Sequence, residues 1–266
     1  MKAFVINLDS AKERMAFQTK QLNSLAIEFQ RLPAYKIASI ENKFYQKYFD
    51  TWQRPLSISE VSCFLSHKKA WDLVIKENQP MLILEDDAWL SENVPMVLKR
   101  LKERQNIDYI NLEVTGSNNK KLLAKKSTDS FCDINLLRLF QGRSGTGAYI
   151  IWPNGARKLL EKTQKGSIGL VDKFINTTYA LDAFQIEPAI VIQLDQCRAY
   201  GITAPLTVKT SISTKANITV TFRDFVRYKI RRAIGEIKIG INIIRHKHLG
   251  IRRGIELSKY FKETKF

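Results

Sequence analysis

The chain has 266 residues, 44% of them hydrophobic, and a mean hydropathy of -0.23, which is enough apolar material for one large α/β domain with its own core. No uninterrupted apolar run approaches the roughly 18 residues of a membrane-spanning helix, and Asp9 ends the first apolar segment too early for a signal-peptide core, so cytoplasmic residence is expected. The 43 Lys/Arg against 26 Asp/Glu give a net charge of +17 and imply an anionic partner: nucleic acid, a phosphorylated substrate or an acidic lipid surface.

In chain order, residues 3–8 read as a first core strand, followed by a helix over residues 10–27. The turn between them has no Gly-rich dinucleotide fingerprint. Its free backbone N–H groups and Arg14 suit a phosphate, and a plain solvated helix start competes with that reading. Ser57 followed three residues later by Glu60 is a capping box, and it opens a helix over residues 58–76. On this helix His67 shares a face with Cys63, Phe64 and Trp71, which reads as a core position. The adjacent Ser66 does not face it, so the two make a poor nucleophile–base pair.

Residues 81–84 form a short apolar strand after Pro80 that runs straight into Glu85-Asp86-Asp87. Three carboxylates at the end of a buried strand repel one another unless something positive joins them. Hard oxygen ligands there suit Mg2+ or Mn2+ holding a substrate phosphate; an ordinary acidic loop is the competing reading. A helix near residues 95–104 precedes a strand at 108–112, and residues 117–133 read as a polar loop. Gly142 to Tyr149 leads into a strand over 147–152; small residues there allow close approach of a ligand, and Arg143 suits phosphate. Helices follow Pro153 through 162 and over 171–181, with Asp172 near the second helix start, and a last core strand spans 189–194.

Strands alternating with helices predict a single Rossmann-type α/β domain over residues 1–202, with a mixed, mostly parallel sheet. A linker over 203–221 and a basic tail over 222–266 follow. The tail carries 13 Lys/Arg against 4 Asp/Glu, and its apolar positions suit an amphipathic helix weakened by Gly235 and Gly240. Its expected partner is the anionic surface of the cytoplasmic membrane. Cys63, Cys132 and Cys197 are isolated and lack metal spacing, so buried free thiols are expected.

Together these blocks resemble glycosyltransferase family 25, the lipooligosaccharide biosynthesis enzymes of Gram-negative bacteria. The resemblance rests on Val5-Ile6-Asn7-Leu8 with Glu13-Arg14, on Glu60-Val61-Ser62-Cys63-Phe64-Leu65-Ser66-His67 with Trp71, and on Leu82-Ile83-Leu84-Glu85-Asp86-Asp87. Gly145-Thr146-Gly147-Ala148-Tyr149, Gly155-Ala156, Val171-Asp172 and Glu187-Pro188 complete it. It implies a GT-A fold and an inverting transfer of a hexose, often galactose, from a UDP-sugar to a lipid-linked oligosaccharide acceptor, on the inner membrane of such a bacterium. It further implies donor contacts from Asn7, Arg14, Ser66, His67, Glu85, Asp86, Gly145 and Thr146, with Mn2+ or Mg2+ on Asp86 and Asp87. The base is then Asp172, with Asp195 as the alternative. Lys36 and Ile37 replace a usual Asp-Gly pair, and Ser59 and Ser62 replace common glycines, changes that bear on donor and acceptor identity. The rivals are a metal-dependent phosphoryl-transfer enzyme or nuclease, short of a second acidic cluster, and a nucleic-acid-binding module. The second has the charge but no zinc spacing or aromatic RNA-binding motif, so no nucleic-acid partner is expected.

Overall fold

A computed structural model describes residues 1–37, 40, 42–114, 116, 119–166, 168–207 and 221–261; residues 208–220, most of the expected linker, lie outside the described residues. The chain opens with β1 (Ala3–Asn7), α1 (Lys12–Ser24), β2 (Phe29–Pro33) and the short α2 (Asn42–Tyr48). Next comes α3 (Ile58–Glu77), where the expected capping box forms: Glu60 N–H donates to Ser57 Oγ at 3.2 Å and Ser57 N–H to the Glu60 carboxylate at 2.8 Å. β3 (Met81–Glu85), β4 (Ala88–Leu90), α4 (Val94–Leu101) and β5 (Tyr109–Asn111) follow. Then come β6 (Lys121–Ala124), β7 (Asp129–Phe131), β8 (Ile134–Gln141), β9 (Ala148–Ile151), α5 (Pro153–Gln164) and α6 (Val171–Asn176). β10 (Ala183–Glu187), β11 (Val191–Gln193), a 3-10 helix over Leu194–Tyr200, α7 (Phe222–His246) and β12 (Gly250–Arg253) complete the chain.

Among the described residues ten strands join one sheet, in the order β12-β6-β8-β10-β5-β9-β3-β1-β2, with β7 paired to β8. β8, β9 and β12 run against the other seven, so the sheet is mixed with most strands aligned. Both faces are covered, which is why β1, β3 and β9 read as unbroken apolar runs. The pleat sends Phe4, Ile6, Met81, Ile83, Tyr149 and Ile151 into a core under α3, α5 and α6. The alternating residues Ala3, Val5, Leu82, Leu84, Ala148 and Ile150 enter a second core with Leu22 of α1 and Val94, Val97 and Leu101 of α4. In the first core Phe64 meets Trp71 and Phe174 edge-on, at ring distances of 5.8 and 4.9 Å.

Three expectations are corrected. The strand expected at 189–194 is not in the main sheet: β11 pairs antiparallel with β4, with Gln193 opposite Ala88. The polar loop expected at 117–133 holds β6 and β7. The pattern hides them because Lys121 is buried, its amino group donating to Gln185 Oε1 at 2.6 Å. The expected tail is not a separate unit, because β12 pairs with β6 and Phe261 packs on Trp89 at a ring distance of 5.1 Å. α5 lies so close to the sheet that a Cβ at Gly155 would fall on the Asp108 carbonyl. Gly155→Ala should therefore cost about 1–3 kcal/mol, as overpacking does, read as a lower urea midpoint.

Candidate active site

β3 delivers Glu85 at its last residue, and Asp86 and Asp87 form the turn into β4. Because β11 pairs with β4, Leu194 N–H donates to the Asp87 carbonyl at 3.0 Å, and the next residue, Asp195, arrives beside the acids. Asp86, Asp87 and Asp195 line a cleft of about 310 Å³ together with Glu85, Arg14, Tyr35, Cys63, Ser66, His67 and Gln193.

The acids are not equivalent. Asp86 faces Arg14 Nη1 at 3.1 Å through one oxygen and accepts from Asn7 Nδ2 at 2.7 Å through the other. Glu85 accepts from Thr146 Oγ1 at 2.7 Å and lies 3.2 Å from His67 Nε2. Asp87 Oδ1 is buried without a hydrogen-bond partner among the described residues. Below them Glu113, 0% exposed, has no partner of good geometry for either oxygen among the described residues.

Electrostatics follow from these contacts. Burial pushes the Glu85 carboxyl up, but His67, Thr146 and the charge of Arg14 outweigh it and leave the pKa lowered. Burial raises the Asp86 carboxyl, with Arg14 and Asn7 pulling the other way. The Asp87 carboxyl is pushed up to about 7 by burial, then by Glu85, Asp86 and Asp195. Glu113 is pushed well above its ordinary range by burial and by Glu85, despite the nearby Lys121. The cleft floor thus carries more negative charge than its own cations offset.

Several expected residues stand elsewhere. Asn7 is buried, accepts from Arg31 Nε at 2.8 Å and holds Asp86; it is not among the lining residues. Gly145 and Thr146 lie behind Glu85 rather than on the lining, the Gly145 carbonyl accepting from Asn111 Nδ2 at 3.1 Å. Ser66 lines the cleft, but its hydroxyl ties the 34–37 segment to α3, accepting from Tyr35 N–H at 2.9 Å. Asp172 is not on the lining; it opens α6, and its carboxylate accepts from Lys173 N–H at 2.7 Å. Arg143, expected for phosphate, is buried and donates to the Thr178 carbonyl at 2.7 Å, so it clamps the backbone. His67 is more than a core residue, since it joins Tyr149 OH, at 2.9 Å from Nδ1, to Glu85. Cys63 and Cys197 are covered to differing degrees, but Cys132 is exposed, against expectation.

Sequence reasoning missed Glu113, although an apolar strand running into an acid, Ile110-Asn111-Leu112-Glu113, repeats the signal of β3. It also missed that Cys63, His67 and Glu85 bring ligand atoms within 4.8 Å of one another. That set contains a thiol pushed well above 9 by burial and the neighbouring acids, and it does not suit a hard cation. The carboxylate of Asp87 does: its Oδ1 is buried without a hydrogen-bond partner among the described residues, close to the charges of Glu85, Asp86 and Asp195.

The family model described as glycosyltransferase family 25 (LPS biosynthesis protein) matches residues 1–175. The chain belongs to glycosyltransferase family 25. The match takes in the acids of β3 and the His67 helix, and Asp195 lies beyond it. Among relatives of this glycosyltransferase, a provisionally named Haemophilus influenzae glycosyltransferase is 27% identical over 71% of this chain and 69% of its own length. Human procollagen galactosyltransferase 2 is 27% identical over 65% of this chain, but this chain spans only 26% of that protein. Among solved structures, a provisionally named Bacillus anthracis glucose-1-phosphate thymidylyltransferase, crystallised with sucrose, gives a TM-score of 0.42 at 11% identity, covering 79% of this chain and 98% of that one.

Two outcomes follow from the geometry. His67→Ala orphans the buried Tyr149 hydroxyl from His67 and loosens Glu85, and should cost about 1–3 kcal/mol in urea denaturation. The folded chain keeps the Asp87 proton up to about 7, whereas the unfolded chain releases it near the ordinary 3.8. The folded state therefore binds more protons across that window, and without a cation stability falls as pH rises through it. Asp87→Asn should raise the metal-free Tm above pH 7, and Mn2+ should raise the wild-type Tm more at about pH 8 than at about pH 6. A Tm for Asp87→Asn equal to wild type at both pH values would contradict the assignment.

Proposed function

We propose that this glycosyltransferase moves a hexose, galactose, from a UDP-sugar to a hydroxyl of a lipopolysaccharide-type glycan, with inversion at the anomeric carbon. The observation that carries the reading is Asp87, half-buried with an Oδ1 that is covered and unpartnered among the described residues, its carboxyl raised to about 7 among three other acids on the wall of a cleft. Such a site is stable when positive charge joins it, and a nucleotide sugar brings a diphosphate that needs the same charge. The family description supports the glycan class, and the galactosyltransferase relatives support the sugar. The reading carries with it a GT-A arrangement, with the donor above the strand ends.

Asp87, whose Oδ1 has no hydrogen-bond partner among the described residues, would hold Mn2+ or Mg2+, which when bound offsets the charge developing on the leaving diphosphate. Asp86 adds charge, but both its oxygens are already engaged by Arg14 and Asn7. Arg14, on the lining, supplies a guanidinium of the kind that pairs with phosphate oxygens. His67 and Thr146 keep Glu85 ionised and fixed. In the transfer the acceptor oxygen bonds to the anomeric carbon as the bond to the diphosphate breaks, and a carboxylate takes the acceptor proton. Asp195 is the exposed acid on the lining and is better placed for that proton than Asp172.

The test is UDP release from UDP-galactose and UDP-glucose with a lipopolysaccharide acceptor, with Mn2+ and after chelation. Asp195→Asn should lower kcat by about 10²–10⁴ while UDP affinity stays near wild type, and Asp172→Asn should change kcat little. A large loss of UDP affinity in Asp195→Asn would make it a ligand to the cation instead, and a selective kcat loss in Asp172→Asn would return the base to that residue. Absence of any Mn2+-dependent UDP-sugar binding would overturn the reading.

A further inference from the structure

α7 is a continuous 25-residue helix, about 37 Å long at 1.5 Å per residue, and its two sides differ sharply. One side is docked. Tyr228 OH donates to Asp50, Arg231 Nη1 donates to the Asp50 carbonyl at 2.6 Å, and Asn242 Nδ2 donates to the Phe140 carbonyl at 2.9 Å. His246 stacks on Phe140 at 4.5 Å. Gly235 belongs to the same side: a Cβ there would fall 2.5 Å from Gln53 Nε2, the tip of a flexible side chain.

The other side is apolar and uncovered. Ile230, Ile234, Ile237, Ile241 and Ile244 recur at spacings of four and three, forming one stripe, and are between 47% and 71% exposed. Helical periodicity puts Arg227, Lys238 and Arg245 along one flank of the stripe and Lys229 along the other. The helix carries seven Lys/Arg (Arg223, Arg227, Lys229, Arg231, Arg232, Lys238, Arg245) against Asp224 and Glu236, a net of +5. Among the described residues no helix is long and apolar enough to cross a membrane.

We propose that α7 lies in the plane of an anionic bilayer surface, with the isoleucine stripe in the headgroup–acyl boundary and its basic flanks against the lipid headgroups. A second copy of this chain would cover the isoleucines, but it would set one +5 helix against another. Nucleic acid would answer the charge and leave the isoleucines in water. An anionic bilayer satisfies both features of the same surface. The inference does not depend on the donor or the chemistry of the cleft, because α7 contributes no residue to the cleft lining.

The test is co-sedimentation of the full chain, without UDP-sugar, with vesicles of equal parts phosphatidylcholine and phosphatidylglycerol, and with phosphatidylcholine vesicles alone. Binding is expected only to the anionic vesicles and should weaken with added salt. Lys229→Ser and Arg245→Ser should each weaken it about fivefold, and the double variant Ile237→Glu/Ile244→Glu should abolish it. Because these side chains are exposed, the variants should melt at the wild-type temperature and keep any wild-type turnover of soluble substrate. Equal binding to neutral vesicles, or wild-type binding by the isoleucine variant, would overturn the proposal. So would self-association that the isoleucine variant abolishes in a chain that ignores vesicles, which would assign the stripe to a second copy.

Discussion

Repulsion among consecutive carboxylates at the end of β3 is the constraint around which the rest of the site is arranged. The strand is covered on both faces, so Glu85 and Asp86 meet water only through the cleft and are held by neighbours. The partners come from separate parts of the chain: Asn7 from β1, Arg14 from α1, His67 from α3 and Thr146 from the approach to β9. Each of those elements is positioned by its own apolar packing, so the compensation is built by the whole sheet. Asp87 is left over. Its Oδ1 is buried without a hydrogen-bond partner among the described residues and its carboxyl is pushed up to about 7, so stability falls as pH rises through that window.

The parts of the fold legible in the sequence are those where local chemistry and tertiary position agree. Ser57 and Glu60 specify the start of α3 without outside help. The apolar run before Glu85 could only be a covered strand, and the three acids could only mark its end. Elsewhere long-range partners decide. β10, Ala-Phe-Gln-Ile-Glu, has Gln185 at its centre, and that buried amide is satisfied by the amino group of Lys121, 64 residues away, and by the carbonyls of Glu113 and Ile186. Lys121 in turn made β6 look like surface. Asp195 reaches the acids only because β11 leaves the main sheet to pair with β4, a choice that the apolar pattern of residues 189–194 does not encode.

The C-terminal segment illustrates the same division. Its charge and its isoleucine spacing announce a basic amphipathic helix, but nothing local announces that the chain then returns to the sheet. β12 covers the edge of β6, and the Arg253 guanidinium grips both oxygens of Glu187. A free edge there would offer unpaired backbone groups to other chains. The segment therefore closes the fold on one side of α7 while the docked side of the helix is fixed to residues 50–53 and 140–141. The exposed stripe is thus presented on a rigid mount.

The hydroxyl of Tyr149 has a consequence for proton placement. Trp71 Nε1 can only donate, and it does so to this oxygen at 3.0 Å. At the far end the Glu85 carboxylate can only accept. A neutral imidazole between them must then carry its hydrogen on Nε2, pointing at Glu85, and take the phenolic hydrogen of Tyr149 on Nδ1. The accept-only carboxylate of Glu85 sets that tautomer, and the indole of Trp71 fills one lone pair of the Tyr149 oxygen from inside the core. All three hydrogen bonds run in one direction, from the aromatic interior toward the acids, and the order follows from the Glu85 carboxylate, which can only accept. Replacing that indole with a ring lacking N–H would leave one lone pair of the buried phenol unfilled, while the first acid of the cleft would keep the imidazole donor it already has.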